Sequence, residues 1–164
     1  MWLSKRKFLL STLSLAGLSA CGFSPVYAPG GSGNRLLNQV ALDAPEAPND
    51  YLFNRRFEER MGRASGPYLL SVSKSVDQQD LGSTTTGNTT RYRLLGRANY
   101  VLKDATGAIL TSGKTDAFSG YSTTGSTVAT LAAERDASER LMILLADQVI
   151  DKLILSAGDW PNEA

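Results

Sequence analysis

The sequence predicts an α+β two-layer sandwich: a four-stranded mixed sheet with two helices packed on one face, in the order β-α-β-β-β-α. Three observations carry this expectation. Residues 91–103 alternate apolar and polar along their length, the period of a strand with one buried face. Phe53, Phe57 and Met61, and again Leu141, Leu145, Val149 and Leu153, recur at four-residue spacing, which lays each set along one side of a helix. Proline and glycine clusters punctuate the intervals between these segments, so each element stops before the next begins.

Taken in order, Cys21 to Gly33 holds Gly22, Pro25, Pro29, Gly30, Gly31 and Gly33 and reads as an extended, flexible linker. Asn38 to Leu42 is a short strand, ended by Pro45 and Pro48. Asn49 or Asp50 then caps a helix that runs to Met61, with Gly62 and Gly66-Pro67 as its stop. Tyr68 to Asp77 sets Tyr68, Leu70, Val72 and Val76 against Leu69, Ser71, Ser73 and Ser75, again a strand. Gln78 to Thr90 is rich in Thr, Gly and Ser and reads as a long hairpin loop.

The next strand, Arg91 to Lys103, places Tyr92, Leu94, Ala98, Tyr100 and Leu102 on one face. Arg91, Arg93, Leu95, Arg97, Asn99, Val101 and Lys103 share the other. Asp104-Ala105-Thr106-Gly107 is a hairpin turn in which Gly107 can take a positive φ. Ala108 to Tyr121 returns as the last strand. The chain closes with a long helix over Thr127–Ser156, capped by Ser126 and ended by Gly158 and Pro161. Arg135 and Ser138 interrupt its apolar stripe, so its first half is expected to face solvent or a partner. A crossover joins the first two strands and hairpins join the rest. Both helices then cover one sheet face, and the other carries the basic row.

The first twenty residues have a different character. Lys5, Arg6 and Lys7 precede a short apolar run from Phe8 to Leu18, followed by Ser19 and Ala20. This is the layout of a secretory signal peptide, too short to span a membrane as a helix, which takes roughly 20 apolar residues. The stretch Ser4-Lys5-Arg6-Lys7-Phe8-Leu9 lacks an arginine pair, which favours general secretion over the twin-arginine route. Leu18-Ser19-Ala20-Cys21 reads as a lipobox, with cleavage before Cys21 and a diacylglyceryl group on its sulfur. Two or more acyl chains anchor a protein stably where one does so only marginally. Gly22, where an aspartate would favour retention in the inner membrane, points to the outer membrane. The organisation expected is therefore a lipoprotein signal peptide over residues 1–20, a lipidated N-terminus and linker over 21–33, and one domain over 34–164.

Removing the leader from 164 residues leaves 144, enough for one core. It also removes three of 17 basic residues, leaving 14 against 16 acidic ones, a balance that gives no footprint for nucleic acid. Cys21 is the only cysteine and histidine is absent, so the commonest metal ligand and general base are missing. Glu134 and Asp136 are two residues apart on the last helix and do not share a face. No spacing marks a nucleophile, and the chain is read as no enzyme, with no cofactor beyond the lipid on Cys21. Arg91, Arg93, Arg97 and Lys103 are the candidate binding residues. Arginine suits bidentate phosphate contact, so the row fits the phosphates or other acidic groups of a ligand or partner. A solvated face that resists edge pairing is the plainer reading of the same row.

Cys21-Gly22-Phe23-Ser24-Pro25-Val26-Tyr27 resembles the start of mature LptE proteins, the lipopolysaccharide-assembly lipoproteins of Gram-negative outer membranes, in their short alphaproteobacterial form. The stretch from Glu139-Arg140-Leu141 to Ala146-Asp147-Gln148-Val149-Ile150 is similar to that family's closing helix, and the order of elements is also similar. The resemblance spans the mature chain, with its specific motif confined to residues 21–27. It implies a lipid-anchored protein on the periplasmic side of the outer membrane. Such a protein plugs an LptD-type β-barrel, supports the barrel's assembly and assists lipopolysaccharide into the outer leaflet, with the barrel and lipopolysaccharide as partners and Arg91, Arg93, Arg97 and Lys103 as the candidate contacts to either. The alternative is a periplasm-facing lipoprotein adaptor or ligand-binding module unrelated to lipopolysaccharide.

Overall fold

A computed structural model describes residues 26–27, 31–64, 66–83 and 89–160. The leader, Cys21 and most of the expected linker lie outside these residues, as does the 84–88 tip of the expected loop. The elements are α1 (Ser32–Leu36), β1 (Val40–Leu42), α2 (Pro48–Met61), β2 (Tyr68–Ser83), β3 (Thr89–Lys103), β4 (Ile109–Ser122) and α3 (Thr127–Ala157). The sheet order is β1-β2-β3-β4. β1 runs parallel to β2, and the other two pairings are antiparallel. The α+β fold and its mixed four-stranded sheet are thus as the sequence predicts, with a third, short helix added in front.

That helix spans Ser32–Leu36 at the junction of the expected linker and domain. α1 starts inside the segment expected to be flexible and buries Leu36 completely. Its Arg35 reaches the far end of the chain, donating to the carbonyls of Ala157 (3.2 Å) and Trp160 (3.3 Å). The last carbonyls of a helix have no partner of their own, so α1 is held by closing the end of α3.

α2 begins earlier than a cap at Asn49 or Asp50 would place it. Ala47 is the N-cap and Pro48 opens the helix, where its missing N–H costs nothing. Asp50 sits at the third helical position and accepts from the backbone N–H groups of Ala47 (2.9 Å) and Glu46 (3.2 Å). The Lys74 ammonium, almost wholly buried, lies 3.0 Å from the same carboxylate and 4.7 Å from the centre of the Phe53 ring. Burial pushes the Asp50 carboxyl up, but Lys74 and the two backbone donors outweigh it and hold the pKa below its ordinary value.

β2 and β3 also run further than expected. Gln78, Gln79 and Asp80 pair with Leu94, Arg93 and Tyr92, and a bulge follows around Gly82. Their side chains are polar on both faces, so composition reads as loop while the backbone ladder continues. At the other hairpin the Asp104 carboxylate accepts from the N–H groups of Thr106 (2.8 Å) and Ala108 (2.9 Å). Gly107 has φ +87° with open space around it, so its glycine answers to backbone conformation alone.

Both long helices pack on one face of the sheet. Phe53, Phe57 and Met61 of α2 meet Leu70, Leu94, Ala98, Tyr100 and Leu102 of the strands, and α3 buries residues from Ala137 to Ala157. Leu141 and Leu145 sit over Gly96, where an added Cβ would lie 2.9 Å from Leu145. Ser126 caps α3 through the N–H of Ala129. No residue of α3 before Ala137 is buried, in agreement with the interrupted stripe. On their outer side the two helices are joined by Arg55–Glu139 (2.5 Å), Arg56–Asp147 (2.9 Å), Arg60–Asp147 (3.1 Å) and Arg60–Asp151 (3.1 Å). Burial raises the Asp147 pKa, but the hydrogen bonds and charges of Arg56 and Arg60 overcome this and leave it lowered.

Two stability predictions follow from this packing. Leu145→Ala should cost about 2–5 kcal/mol in a denaturant titration, as a fully buried leucine leaves a cavity. Leu131→Ala, at a half-exposed site of α3, should stay within about 0.5 kcal/mol. Because the folded-state pKa of Asp147 is depressed, its pairs contribute fully above the unfolded value near 3.9 and are lost as pH falls through the lowered one. Asp147→Asn should therefore destabilise by about 1 kcal/mol at pH 7. The gap from the parent should shrink as unfolding is measured at progressively lower pH, below about 4.

Candidate functional site

The face of the sheet turned away from the helices is the candidate site. Cross-strand partners point to the same side of a sheet, so the register defines this face. Arg91, Arg93, Leu95, Arg97, Asn99, Val101 and Lys103 form its central line. β2 adds Leu69, Ser71, Ser73, Ser75, Asp77 and Gln79 on one side. β4 adds Ser112, Lys114, Asp116, Phe118, Gly120 and Ser122 on the other. The four basic residues expected to share a face do so. Lys114 joins them, standing opposite Asn99.

They do not gather into one cluster. Arg91 and Lys103 are twelve residues apart on β3, roughly 40 Å at strand rise. Arg97 lies between two carboxylates: it is ion-paired with Asp77 and stands directly across from Asp116. Its charge is locally balanced, and any anionic ligand competes with those neighbours. Arg93 has its guanidinium 5.2 Å from the centre of the Phe118 ring, a cation–π contact that leaves the N–H groups at its rim usable. Arg91 is exposed beside Gly82 and Ser122, with no bulky neighbour. Arg91, Arg93 and Phe118 make an open basic-aromatic patch at one end of the face. Lys103 sits at the other end between Leu69 and Ile109, in an apolar setting.

Phe118 is the residue that reading the sequence missed. It is 65% exposed and stands between Asp116 and Gly120 on that side of β4. Its alternation with Ala117 and Ser119, which are buried, was the available signal. A second feature escaped notice: Pro48, Tyr51 and Leu52 of α2 and Leu131, Glu134 and Arg135 of α3 line a shallow groove of about 620 Å³ between the starts of the two helices. Among the described residues no group of carboxylates is arranged to hold a metal ion, and no helix is long and apolar enough to cross a membrane.

This arrangement suits contact with an anionic, partly apolar ligand or a polar protein wall. A family model described as LptE, lipopolysaccharide-assembly, matches residues 37–153, from the end of α1 through most of α3. Solved structures share the fold. A lipoprotein from Caulobacter crescentus CB15 is 23% identical, with 78% of this chain and 97% of its own covered at a TM-score of 0.64. Rare lipoprotein B from Shewanella oneidensis is 13% identical over 74% and 96%, at 0.56. Lipoprotein B from Nitrosomonas europaea is 14% identical over 75% and 86%, at 0.58. At such identities the likeness is one of fold. No curated protein matches the sequence.

Proposed function

The chain belongs to the LptE, lipopolysaccharide-assembly, family, and on that premise we propose that it is an outer-membrane lipoprotein, acylated at Cys21 and facing the periplasm, that plugs and supports assembly of an LptD-type β-barrel. In this role it assists lipopolysaccharide into the outer leaflet and carries out no chemistry of its own. The observation that carries the reading is the family match, which spans all four strands and both long helices up to Leu153. The lipobox supports the anchoring.

The open sheet face supports the plug. The lumen of an outer-membrane barrel is polar, and a body seated in it needs a surface that tolerates polar contact on the side its own helices do not cover. Serines at 71, 73 and 75, Asn99, and charges of both signs at Asp77, Arg97, Lys114 and Asp116 provide such a surface. Lipopolysaccharide contact falls to Arg91 and Arg93. They stand together at one end beside Phe118 and are not matched by a carboxylate as Arg97 is by Asp77, and guanidinium groups pair with phosphate through two parallel hydrogen bonds.

Two measurements test this. Depleting the protein should lower surface lipopolysaccharide and the yield of folded barrel, and the tagged protein should co-purify with that barrel. Unchanged surface lipopolysaccharide with an intact barrel would sink the proposal in favour of an unrelated adaptor. For the patch, Arg91→Ala with Arg93→Ala should weaken binding to purified lipopolysaccharide by roughly tenfold or more, at about 1.5–3 kcal/mol per charged hydrogen bond lost. Arg97→Ala, removing a cation already matched by Asp77, should change it little. Equal losses from both variants would remove the patch as the contact.

A further inference from the structure

The two ends of the fold are not equivalent, and the tether decides which one meets lipid. Val26 and Tyr27 are pinned to the domain. The N–H of Gly33 donates to the Val26 carbonyl (3.0 Å) and the Asn34 side-chain amide to that of Tyr27 (3.1 Å). The Tyr27 ring packs where a Gly33 Cβ would stand, 2.8 Å away. From Cys21 to Val26 is five residues, a reach of at most about 17 Å. The sheet is roughly 50 Å long, from the 15 residues of β3. An acyl anchor at Cys21 therefore holds the α1 end of the domain at the bilayer and leaves the Arg91 end far from that attachment point.

That near end carries a rim of exposed apolar side chains. Leu69 and Ile109 flank Lys103 in the last cross-strand row of the open face. Leu155 stands out from the final turn of α3 at 73% exposure, and Val26, Tyr27 and Leu37 surround α1. At the centre lies Trp160, its ring 5.9 Å from that of Tyr68, beside Arg35 and Leu110. Aromatic rings with a polar edge favour the headgroup layer, and a lysine between apolar neighbours can bury its stem while its ammonium stays with phosphates. Arg35 donates to the Ala157 carbonyl, and the N–H groups of Gly158 and Asp159 to those of Leu155 and Ser156, so this end of the helix presents few unsatisfied groups to a dry environment.

We infer that the rim formed by Val26, Tyr27, Leu37, Ile109, Leu155 and Trp160 is a membrane-docking surface that seats the near end of the domain in the phospholipid headgroup layer. The inference rests on the Cys21 anchor of the proposed function. It fixes which end of the anchored domain lies at the headgroup layer, leaving the rest of the body for the barrel, and it assigns Lys103 to phospholipid.

Trp160 is the only tryptophan beyond the leader and reports on the contact directly. The acylated protein, purified from membranes, is reconstituted into phosphatidylethanolamine–phosphatidylglycerol vesicles with and without acyl-brominated phospholipid. Docking predicts a blue-shifted Trp160 emission that the brominated lipid quenches. Ile109→Asp with Leu155→Asp, both at exposed positions, should abolish the quenching while the protein still floats with the vesicles. Val128→Asp, exposed at the start of α3 and far from the rim, should leave it unchanged. Flotation without quenching of the parent overturns the docking surface and leaves the anchor standing, as expected if the rim instead meets a barrel wall. Failure to float overturns the anchor and the docking with it.

Discussion

The whole architecture depends on one constraint: the sheet has two faces and the chain supplies helices for only one. The strict alternation of β3 enforces this. Leu94, Ala98, Tyr100 and Leu102 go under α2 and α3, and a slip of one residue would turn the arginines inward and the apolar set out. Gly96 sharpens the constraint, because its missing side chain lets Leu141 and Leu145 approach the strand. With the helices committed to that side, their own outer surfaces can be satisfied internally. Arg55, Arg56 and Arg60 answer Glu139, Asp147 and Asp151. The opposite sheet face has no such closure, and what the protein offers a partner must come largely from there and from the two ends.

How much of this could be read from residues alone varies with the range of the interaction. The periodic segments were legible: Phe53, Phe57 and Met61 are all buried, Ser126 caps α3, and Arg91, Arg93, Arg97 and Lys103 share a face. What escaped was non-local. The ladder through Gln78–Asp80 is held by β3 rather than by its own polar side chains. α1 exists because Leu36 finds the core and Arg35 finds carbonyls more than 120 residues away. Asp50 looked like a cap, yet its position reflects Lys74 arriving from β2 as well as the two N–H groups it accepts. At the candidate site, the shared face followed from period two, but the neutralisation of Arg97 by Asp77 and the seat of Arg93 over Phe118 follow from which strands lie beside β3.

The ends separate two kinds of chemistry that a list of basic residues would merge. Lys103 is bracketed by Leu69 and Ile109 at the α1 end, whereas Arg93 and Arg91 stand roughly 33 and 40 Å away beside Phe118. That separation is more than one ligand headgroup can span. Their shared face therefore does not imply a shared ligand. The near end is suited to phospholipid and the far end to a phosphate-bearing ligand delivered from elsewhere.

A sheet with two free edges also has to avoid unwanted strand addition. β4 is an outer strand of 14 residues, and an unpaired edge of that length is a template for adding another strand. Here the guard comes from α3. Arg140 donates to the Gly120 carbonyl (3.1 Å) and Lys152 to the Lys114 carbonyl (2.8 Å), while Thr115 is hydrogen-bonded to Gln148. A further strand laid along β4 would have to displace the cationic side chains at Lys114 and Gly120. The opposite edge, β1, is only three residues long and offers little to pair with. Strand addition is thus discouraged at both edges, so that partners are steered to the open face and the ends, where the contact is made by side chains and can be tuned by single residues such as Arg93.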